Sequence, residues 1–189
     1  MKPEILQRSV AYDGYMKVET LRIRLADGNE VVREVETHGD AVAVLPYNPK
    51  AGVALVVRQF RPPAFDRFGC QTLDEACAGM VENEGPAAAV RREALEELGL
   101  SLATLEPAGR VWPSPGVSAE LVTLYLAPYG PADRVGDGGG VATEHEGIAV
   151  VERSLAELAE DADAGRIVDL KLLTLVQTLR VRHAALFAR

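Results

Sequence analysis

Hydrophobic and polar residues alternate near the start of the chain, which is typical of half-buried strands. Residues 15–25 (Tyr-Met-Lys-Val-Glu-Thr-Leu-Arg-Ile-Arg-Leu) and residues 30–36 (Glu-Val-Val-Arg-Glu-Val-Glu) both show this period of two. Between them, Asp27 and Gly28 favour a tight turn. The pattern therefore predicts an N-terminal antiparallel β-hairpin.

The rest of the chain alternates short apolar runs with helical patterns. The runs 41–45 and 53–57 flank a turn-rich segment and predict a buried hairpin. Ser154 is a predicted helix N-cap, and Asp169 begins a last amphipathic helix. Further short strands are predicted at residues 72–77, 108–112, 121–126 and 148–151.

The most informative pattern lies between residues 78 and 100. Pro86 suits a first helical turn because its missing N–H would be unpaired there. Gly99 suits the end of the helix, where a left-handed residue is common. The apolar stripe between these ends consists of Val90, Ala94 and Leu98.

The polar face of this helix crowds three carboxylates into about one turn. Glu93, Glu96 and Glu97 stand at i, i+3 and i+4, where like charges repel by a few tenths of a kcal/mol per pair. The residues alone allow a solvated surface with Arg91 or Arg92 as counterion. They also allow a cation site, because Mg²⁺ commonly uses one or two carboxylates plus substrate phosphates.

Composition narrows the class of protein. The 189 residues are 48% hydrophobic and 25% charged, as in a globular domain. A net charge of −8 argues against a nucleic-acid partner, whereas a small anionic substrate remains open if metals reverse the field locally. Cys70 and Cys77 are interpreted as reduced thiols. There is neither a signal-peptide core nor an apolar run of about 18 residues, so we expect a cytoplasmic protein without membrane contact.

Several loop residues leave two interpretations open. Arg58 and Arg61 are either solvated strand-end residues or a phosphate clamp. Glu120 is either a surface acid at a strand start or a ligand contact. The glycine-rich residues 130–147 include Glu144 and Glu146, which could close over a ligand, and His145, which alone reads as a solvated residue.

Residues 92–100 (Arg-Glu-Ala-Leu-Glu-Glu-Leu-Gly-Leu) match the second half of a known pattern. They resemble the Nudix hydrolase box, G-x5-E-x7-R-E-U-x-E-E-x-G-U, where U is apolar. The first half departs from the pattern, since five residues after Gly79 the chain has Gly85 where a glutamate is expected. Glu84 has the expected spacing to Arg92, so the box is one residue short.

The resemblance extends over almost the whole chain. Residues 57–61 (Val-Arg-Gln-Phe-Arg), Glu75, and Ser114-Pro-Gly followed by Glu120 resemble the nucleoside-diphosphate-sugar pyrophosphatase branch, which includes ADP-ribose pyrophosphatases. The short box, the Gly138-Gly-Gly-Val segment and residues 165–171 look most like its GDP-mannose pyrophosphatase subfamily.

This resemblance implies an α+β fold: a Nudix α/β/α sandwich with a mixed sheet, preceded by an N-terminal antiparallel β-hairpin. It implies that residues 1–38 are a hairpin region for dimerisation and substrate contacts, and that residues 39–189 are the Nudix domain. Family members are commonly homodimers in which the hairpin helps to build the partner's site.

The resemblance also assigns residue roles. Glu93, Glu97, the carbonyl of Ala78 and Glu146 would hold Mg²⁺, with Mn²⁺ possible and Glu144 as the alternative to Glu146. Glu96 would be a further or water-mediated ligand, and Arg92 would orient the glutamates. The implied catalytic set is Arg92, Glu93, Glu96, Glu97 and Glu146. The implied substrate contacts are Tyr15, Arg33, Glu34, Arg61, Gly79, Glu120 and Lys171.

The implied activity is Mg²⁺-dependent hydrolysis of a nucleoside diphosphate sugar to a nucleoside monophosphate and a sugar 1-phosphate. GDP-mannose is the favoured substrate, and ADP-ribose or a UDP-sugar is the alternative. Because base and sugar depend on loops and stacking residues, for which Tyr15 and Tyr47 are candidates, the sequence leaves them open. A non-catalytic nucleotide-sugar sensor is the alternative of another class.

Overall fold

The computed structural model describes residues 2–141 and 147–188. Within these ranges the chain forms ten strands and four α-helices. The strands are β1 (Glu4–Asp13), β2 (Lys17–Arg24), β3 (Glu30–Thr37), β4 (Ala41–Asn48), β5 (Val53–Gln59), β6 (Leu73–Glu75), β7 (Cys77–Met80), β8 (Glu106–Val111), β9 (Val122–Pro128) and β10 (Ala149–Ser154). The helices are α1 (Pro62–Phe68), α2 (Pro86–Leu98), α3 (Leu155–Asp163) and α4 (Leu170–Arg182).

The chain divides into two compact units. The smaller unit comprises Met1–Asp40 and Val111–Val122, and the larger unit comprises Ala41–Arg110 and Thr123–Arg189. The functional division predicted at residue 38 stays a prediction.

The smaller unit is built on an antiparallel sheet in the order β1-β2-β3. The predicted hairpin is confirmed as β2 and β3, and Gly28 between them has a φ of 91°. Strand β1 adds to this hairpin and was absent from the sequence prediction. Its side chains are nearly all exposed, so it lacks the alternation of buried and exposed positions that a sequence pattern can reveal.

The larger unit contains a seven-stranded sheet with the path β10-β5-β4-β9-β8, and β6 and β7 pair with β5 and β4. Val42 and Val44 of β4 lie in one hydrophobic core with residues of α2. Leu45 and Tyr47 point to the opposite face, because side chains alternate along a strand. The Tyr47 ring lies 5.6 Å from that of His183, the residue that ends α4. Helices α2 and α4 therefore cover opposite faces of the sheet, and the predicted α+β class is confirmed.

Helix α2 has the predicted ends. Pro86 occupies its first turn, and Gly99 ends it with a φ of 65°. The Gly99 and Leu100 amides donate to the carbonyls of Leu95 (3.1 Å) and Ala94 (3.0 Å), a pattern that pairs otherwise orphaned carbonyls. The stripe residues Val90, Ala94 and Leu98 are fully buried.

The other helices begin at local signals. The Ser154 hydroxyl accepts from the Glu157 amide at 3.1 Å, and the Glu157 carboxylate accepts from the Ser154 amide at 3.3 Å, a reciprocal capping box. The Asp169 carboxylate accepts from the amides of Lys171 and Leu172 and so begins α4. Helix α1 was not predicted, although its two leading prolines suit a first turn.

None of the helices within residues 2–141 and 147–188 has both the length and the apolar character that crossing a membrane requires.

Candidate functional site

The three glutamates of α2 lie at different depths in the larger unit. The Glu97 side chain is 3% exposed, that of Glu93 is 12% exposed, and that of Glu96 is 33% exposed. Carboxylates are rarely buried unless they are hydrogen-bonded or paired. The burial of Glu93 and Glu97 therefore requires partners close to the helix.

Arg92 supplies several of these contacts. Its Nη1 donates to Glu93 at 2.8 Å and to Glu96 at 3.1 Å, and its Nη2 donates to the carbonyl of Met80 at 3.1 Å. Burial by itself lowers the pKa of Arg92, but the surrounding carboxylates outweigh it and raise the pKa. One permanently charged guanidinium thus offsets the repulsion between neighbouring carboxylates.

Glu84 completes the set of carboxylates around Arg92. Its Oε1 accepts from Arg92 Nε at 2.8 Å. Glu84 lies one residue closer to Gly79 than the box pattern requires, but its eight-residue spacing to Arg92 is the expected one. Glu84 therefore pairs with Arg92, although the loop before it is one residue shorter than in the box pattern.

Strand β7 lies directly beside the glutamates. The amide of Ala78 donates to Glu97 Oε2 at 3.1 Å. At Gly79, a Cβ atom would overlap the carboxylate of Glu93. A glycine at this position lets the Glu93 carboxylate approach the backbone of the strand.

The glycine-rich segment is attached to the C-terminal end of α2. Gly139 donates to the carbonyl of Glu97 at 2.8 Å, and Gly140 donates to that of Glu96 at 3.0 Å. A Cβ at Gly138, where φ is +71°, would overlap the backbone of Glu97. Glu144 and Glu146, predicted as alternatives for completing the metal site, lie outside the described residues, as does His145.

Arg61 and Lys171 meet at a buried carboxylate. Arg61 binds Glu75 through two hydrogen bonds, of 2.7 and 3.0 Å, and Lys171 Nζ lies 3.4 Å from the same carboxylate. The Glu75 bond raises the pKa of Arg61. Burial lowers the pKa of Lys171, but Asp169, whose carboxylate is 2.8 Å away, and Glu75 raise it overall. Two predicted substrate contacts are thus brought together.

The role of Glu75 as the common partner of Arg61 and Lys171 was missing from the sequence analysis. Glu75 is 4% exposed and ends the short strand β6, directly before the buried residues Ala76 and Cys77. A charged residue inside a predicted buried strand was the available signal, since such residues are almost always paired. Its partners lie 14 and 96 residues away in the chain, so no local sequence pattern identifies them.

The remaining predicted contacts belong to the smaller unit. Tyr15 is 94% exposed in the turn between β1 and β2, and Arg33 and Glu34 are exposed in β3. Glu120 is partly buried near the end of segment 111–122. All four residues therefore lie in the smaller unit.

Two other candidates of the larger unit are engaged elsewhere. Arg58 binds Asp74 through hydrogen bonds of 2.6 and 3.0 Å. Tyr47 is 5% exposed on the face that α4 covers, which is a core position.

The oxygen donors of α2 and β7 fit a hard divalent cation. Among residues 2–141 and 147–188, no group of three or more His, Cys, Asp or Glu side chains is arranged to hold a metal ion. Mg²⁺ does not need such a group, because waters and substrate phosphates commonly complete its shell. Glu93 and Glu97 face the strand that contains Ala78 and Gly79, so their carboxylate oxygens lie beside the backbone of that strand.

Comparisons of this chain with a family model and with known proteins agree on one family. Residues 37–173 match the model of the NUDIX domain. The chain is 35% identical to a GDP-mannose pyrophosphatase of Cronobacter sakazakii over 185 residues, which cover 95% of both chains. It is 33% identical to that of an Enterobacter species, covering 96% of both chains, and 32% identical to that of Yersinia pestis, covering 96% of this chain and 93% of the other.

A solved structure shares the fold. The crystal structure of an ADP compounds hydrolase superimposes with a TM-score of 0.79, covering 98% of this chain and 96% of the other. The two sequences are 17% identical, so this likeness concerns the fold alone.

Proposed function

The chain belongs to the Nudix hydrolase family, and on that premise we propose that it splits the diphosphate of a nucleoside diphosphate sugar. The products would be a nucleoside monophosphate and a sugar 1-phosphate. The observation that carries this proposal is the 35% identity, over 95% of both chains, to a protein named GDP-mannose pyrophosphatase. GDP-mannose is therefore the first substrate to test.

Nudix hydrolases generally use divalent metal cations, and Mg²⁺ is proposed for this chain. Glu93, Glu97 and the carbonyl of Ala78 would hold it, joined by Glu146 or, alternatively, Glu144. Such an ion neutralises phosphate oxygens and lowers the pKa of bound water. In support, the carboxylates are buried against β7, where their geometry is defined by backbone and arginine contacts.

The protein's own part in the reaction is to hold charges in place. Arg92 bridges Glu93 and Glu96 and offsets the repulsion between them, and the Ala78 amide orients the carboxylate of Glu97. Positioning and electrostatics, rather than covalent chemistry, dominate phosphoryl transfer. Gly79 leaves the space that the Glu93 carboxylate uses.

Arg61 is proposed to bind a substrate phosphate. Glu75 takes two of the five N–H donors of the guanidinium and holds its plane, and the Arg61 side chain is 44% exposed. The other donors can therefore reach a ligand from the solvent side. Lys171 adds a second positive charge at the same carboxylate.

The nucleoside and the sugar are proposed to contact Tyr15, Arg33, Glu34 and Glu120. The phosphates are proposed to contact Gly79. A homodimer is part of the proposal, because the smaller unit exposes Ile5, Val10, Tyr12 and Val32, each to more than half. A contiguous exposed apolar surface commonly marks a protein interface, so we propose that these side chains contribute to one.

The dimer has a direct test in sedimentation velocity. Val10→Glu is expected to shift the protein from dimer to monomer. The matched control is Val181→Glu, a change at an 82% exposed residue of α4, which should leave the dimer intact. A wild-type monomer at micromolar concentration would refute this part of the proposal.

The activity is tested by incubating the protein with Mg²⁺ and a panel of GDP-, ADP- and UDP-sugars, followed by identification of the products. Release of GMP and mannose 1-phosphate from GDP-mannose is the expected result, and chelation of the metal should abolish it. Activity on ADP-ribose alone would revise the substrate. Tight binding measured by calorimetry without any product would instead support a sensor.

A further inference from the structure

His38 lies between two carboxylates of the smaller unit. Its Nδ1 contacts Glu36 Oε1, and its Nε2 lies 3.5 Å from Glu120 Oε1. The three side chains are only 20–24% exposed, so water screens these contacts incompletely. Glu120 is one of the proposed substrate contacts, whereas His38 has no assigned role.

The backbone places these groups together. The Glu36 amide donates to the carbonyl of Val117 at 2.8 Å, and the Ala119 amide donates to the carbonyl of Glu36 at 2.9 Å. The amide of Glu120 donates to the Ser118 hydroxyl at 3.1 Å. The segment that ends in Glu120 is thus paired with the end of β3, immediately before His38.

The position of His38 between two carboxylates favours its protonated form. A neutral imidazole has one N–H and one lone pair, so it can donate to only one of two carboxylates. Its lone pair would then face the other carboxylate, which is repulsive. The imidazolium donates from both nitrogens and can bridge Glu36 and Glu120 at once.

We infer that His38, as an imidazolium, is a positioning residue that holds the Glu120 carboxylate ready for a substrate hydroxyl or an ordered water. This inference rests on the proposed function, in which Glu120 contacts the substrate. His38 itself acts only through Glu120. It therefore controls the orientation of one substrate contact and makes that orientation depend on pH.

The electrostatic surroundings support the charged form. The hydrogen bond to Glu36 raises the pKa of His38 above its ordinary value, and the charge of Glu120 acts in the same direction, whereas burial opposes them. Within the described residues, Glu36 and Glu120 are the titratable groups that act on this ring. The bridge is therefore complete below the ordinary histidine pKa and is lost as the pH rises through the raised value.

The test combines ring titration with kinetics. NMR titration of His38 in the wild type and in Glu120→Gln is expected to show a lower pKa in the variant, because one carboxylate has lost its charge. In His38→Asn, kcat/KM should fall about tenfold below pH 7, as for the loss of one hydrogen bond to a charged group. The fall of wild-type kcat/KM with rising pH that follows the His38 titration should be absent from this variant.

Controls separate positioning from folding. His183→Asn removes an imidazole that lies 2.8 Å from Glu106 in the larger unit, and it should keep the wild-type pH profile. The double variant His38→Asn/Glu120→Gln should be no slower than Glu120→Gln alone, because both changes act through one carboxylate. If His38→Asn is poorly folded, His38→Gln replaces it.

The outcomes distinguish the two proposals. An active wild type whose pH profile is unchanged in His38→Asn, or an unchanged His38 pKa in Glu120→Gln, overturns the inference and leaves the proposed function standing. A wild type that hydrolyses no nucleotide sugar overturns the proposed function and with it the positioning role. In that case the ring titration still shows whether the His38–Glu120 contact exists.

Discussion

The Gly139 amide donates a 2.8 Å hydrogen bond to the carbonyl of Glu97, the most buried of the three carboxylate-bearing residues of α2. A helix end leaves its last carbonyls without intrahelical partners. Here the glycine-rich segment supplies two of those partners, and it leads directly towards residues 142–146. The backbone of Gly139 and Gly140 is therefore coupled to the helix turn that carries Glu96 and Glu97.

Gly138→Ala is expected to disturb this coupling. Both Gly138 (φ +71°) and Gly165 (φ +69°) are left-handed, a conformation that costs alanine about 1–2 kcal/mol. A Cβ atom at Gly138 would also overlap the backbone of Glu97, whereas a Cβ atom at Gly165 would lie in open space. We expect comparable backbone strain in both variants but a loss of kcat/KM of at least about tenfold only in Gly138→Ala, as for a small misplacement of catalytic groups. Equal activities would contradict this coupling.

Glu97→Gln tests the carboxylate cluster. The amide keeps the shape of the side chain, and its oxygen can still accept from Ala78, so the free energy of unfolding without metal should change little. Turnover should fall about 100-fold or more, because removing the charge of a proposed metal ligand would cost several kcal/mol of transition-state stabilisation. Chemical denaturation and steady-state kinetics are the measurements. A large loss of stability at unchanged kcat would show that Glu97 is a structural residue.

Gly79→Ala tests the space that the Glu93 carboxylate uses. The added methyl group overlaps that carboxylate, so the side chain must move and activity should fall. If the effect acts only through Glu93, Gly79→Ala/Glu93→Gln should be no slower than Glu93→Gln alone. Multiplicative losses of kcat/KM in the double variant would indicate separate roles.

The two arginines of β5 and its exit provide a matched pair. Arg58 and Arg61 each bind one carboxylate through two hydrogen bonds, and their side chains are 46% and 44% exposed. Arg61→Lys should raise KM about tenfold, because lysine cannot bind Glu75 and a phosphate with the same planar fork. Arg58→Lys should leave KM unchanged. The reverse result would assign the phosphate contact to Arg58.

Sequence patterns predicted the elements whose signals are local. The ends of α2 were predicted from Pro86 and Gly99, and the start of α4 was predicted from Asp169. Strand β1 and helix α1 were missed, because both expose most of their side chains and so show no clear period of burial. The two consecutive prolines at the start of α1 were a usable signal for a first helical turn.

The sequence alone determined the family, through its motif, and the helix that carries the carboxylates. It also determined which residues meet on that helix, because spacing along a helix sets which side chains share a face. Only the tertiary structure decided that Glu75 binds both Arg61 and Lys171, which lie 14 and 96 residues from it in the chain. It also decided that Gly139 and Gly140 are hydrogen-bonded to the end of α2 and that His38 lies between Glu36 and Glu120. These contacts depend on strand pairing and loop packing between distant segments, which leave no period or spacing in the chain itself.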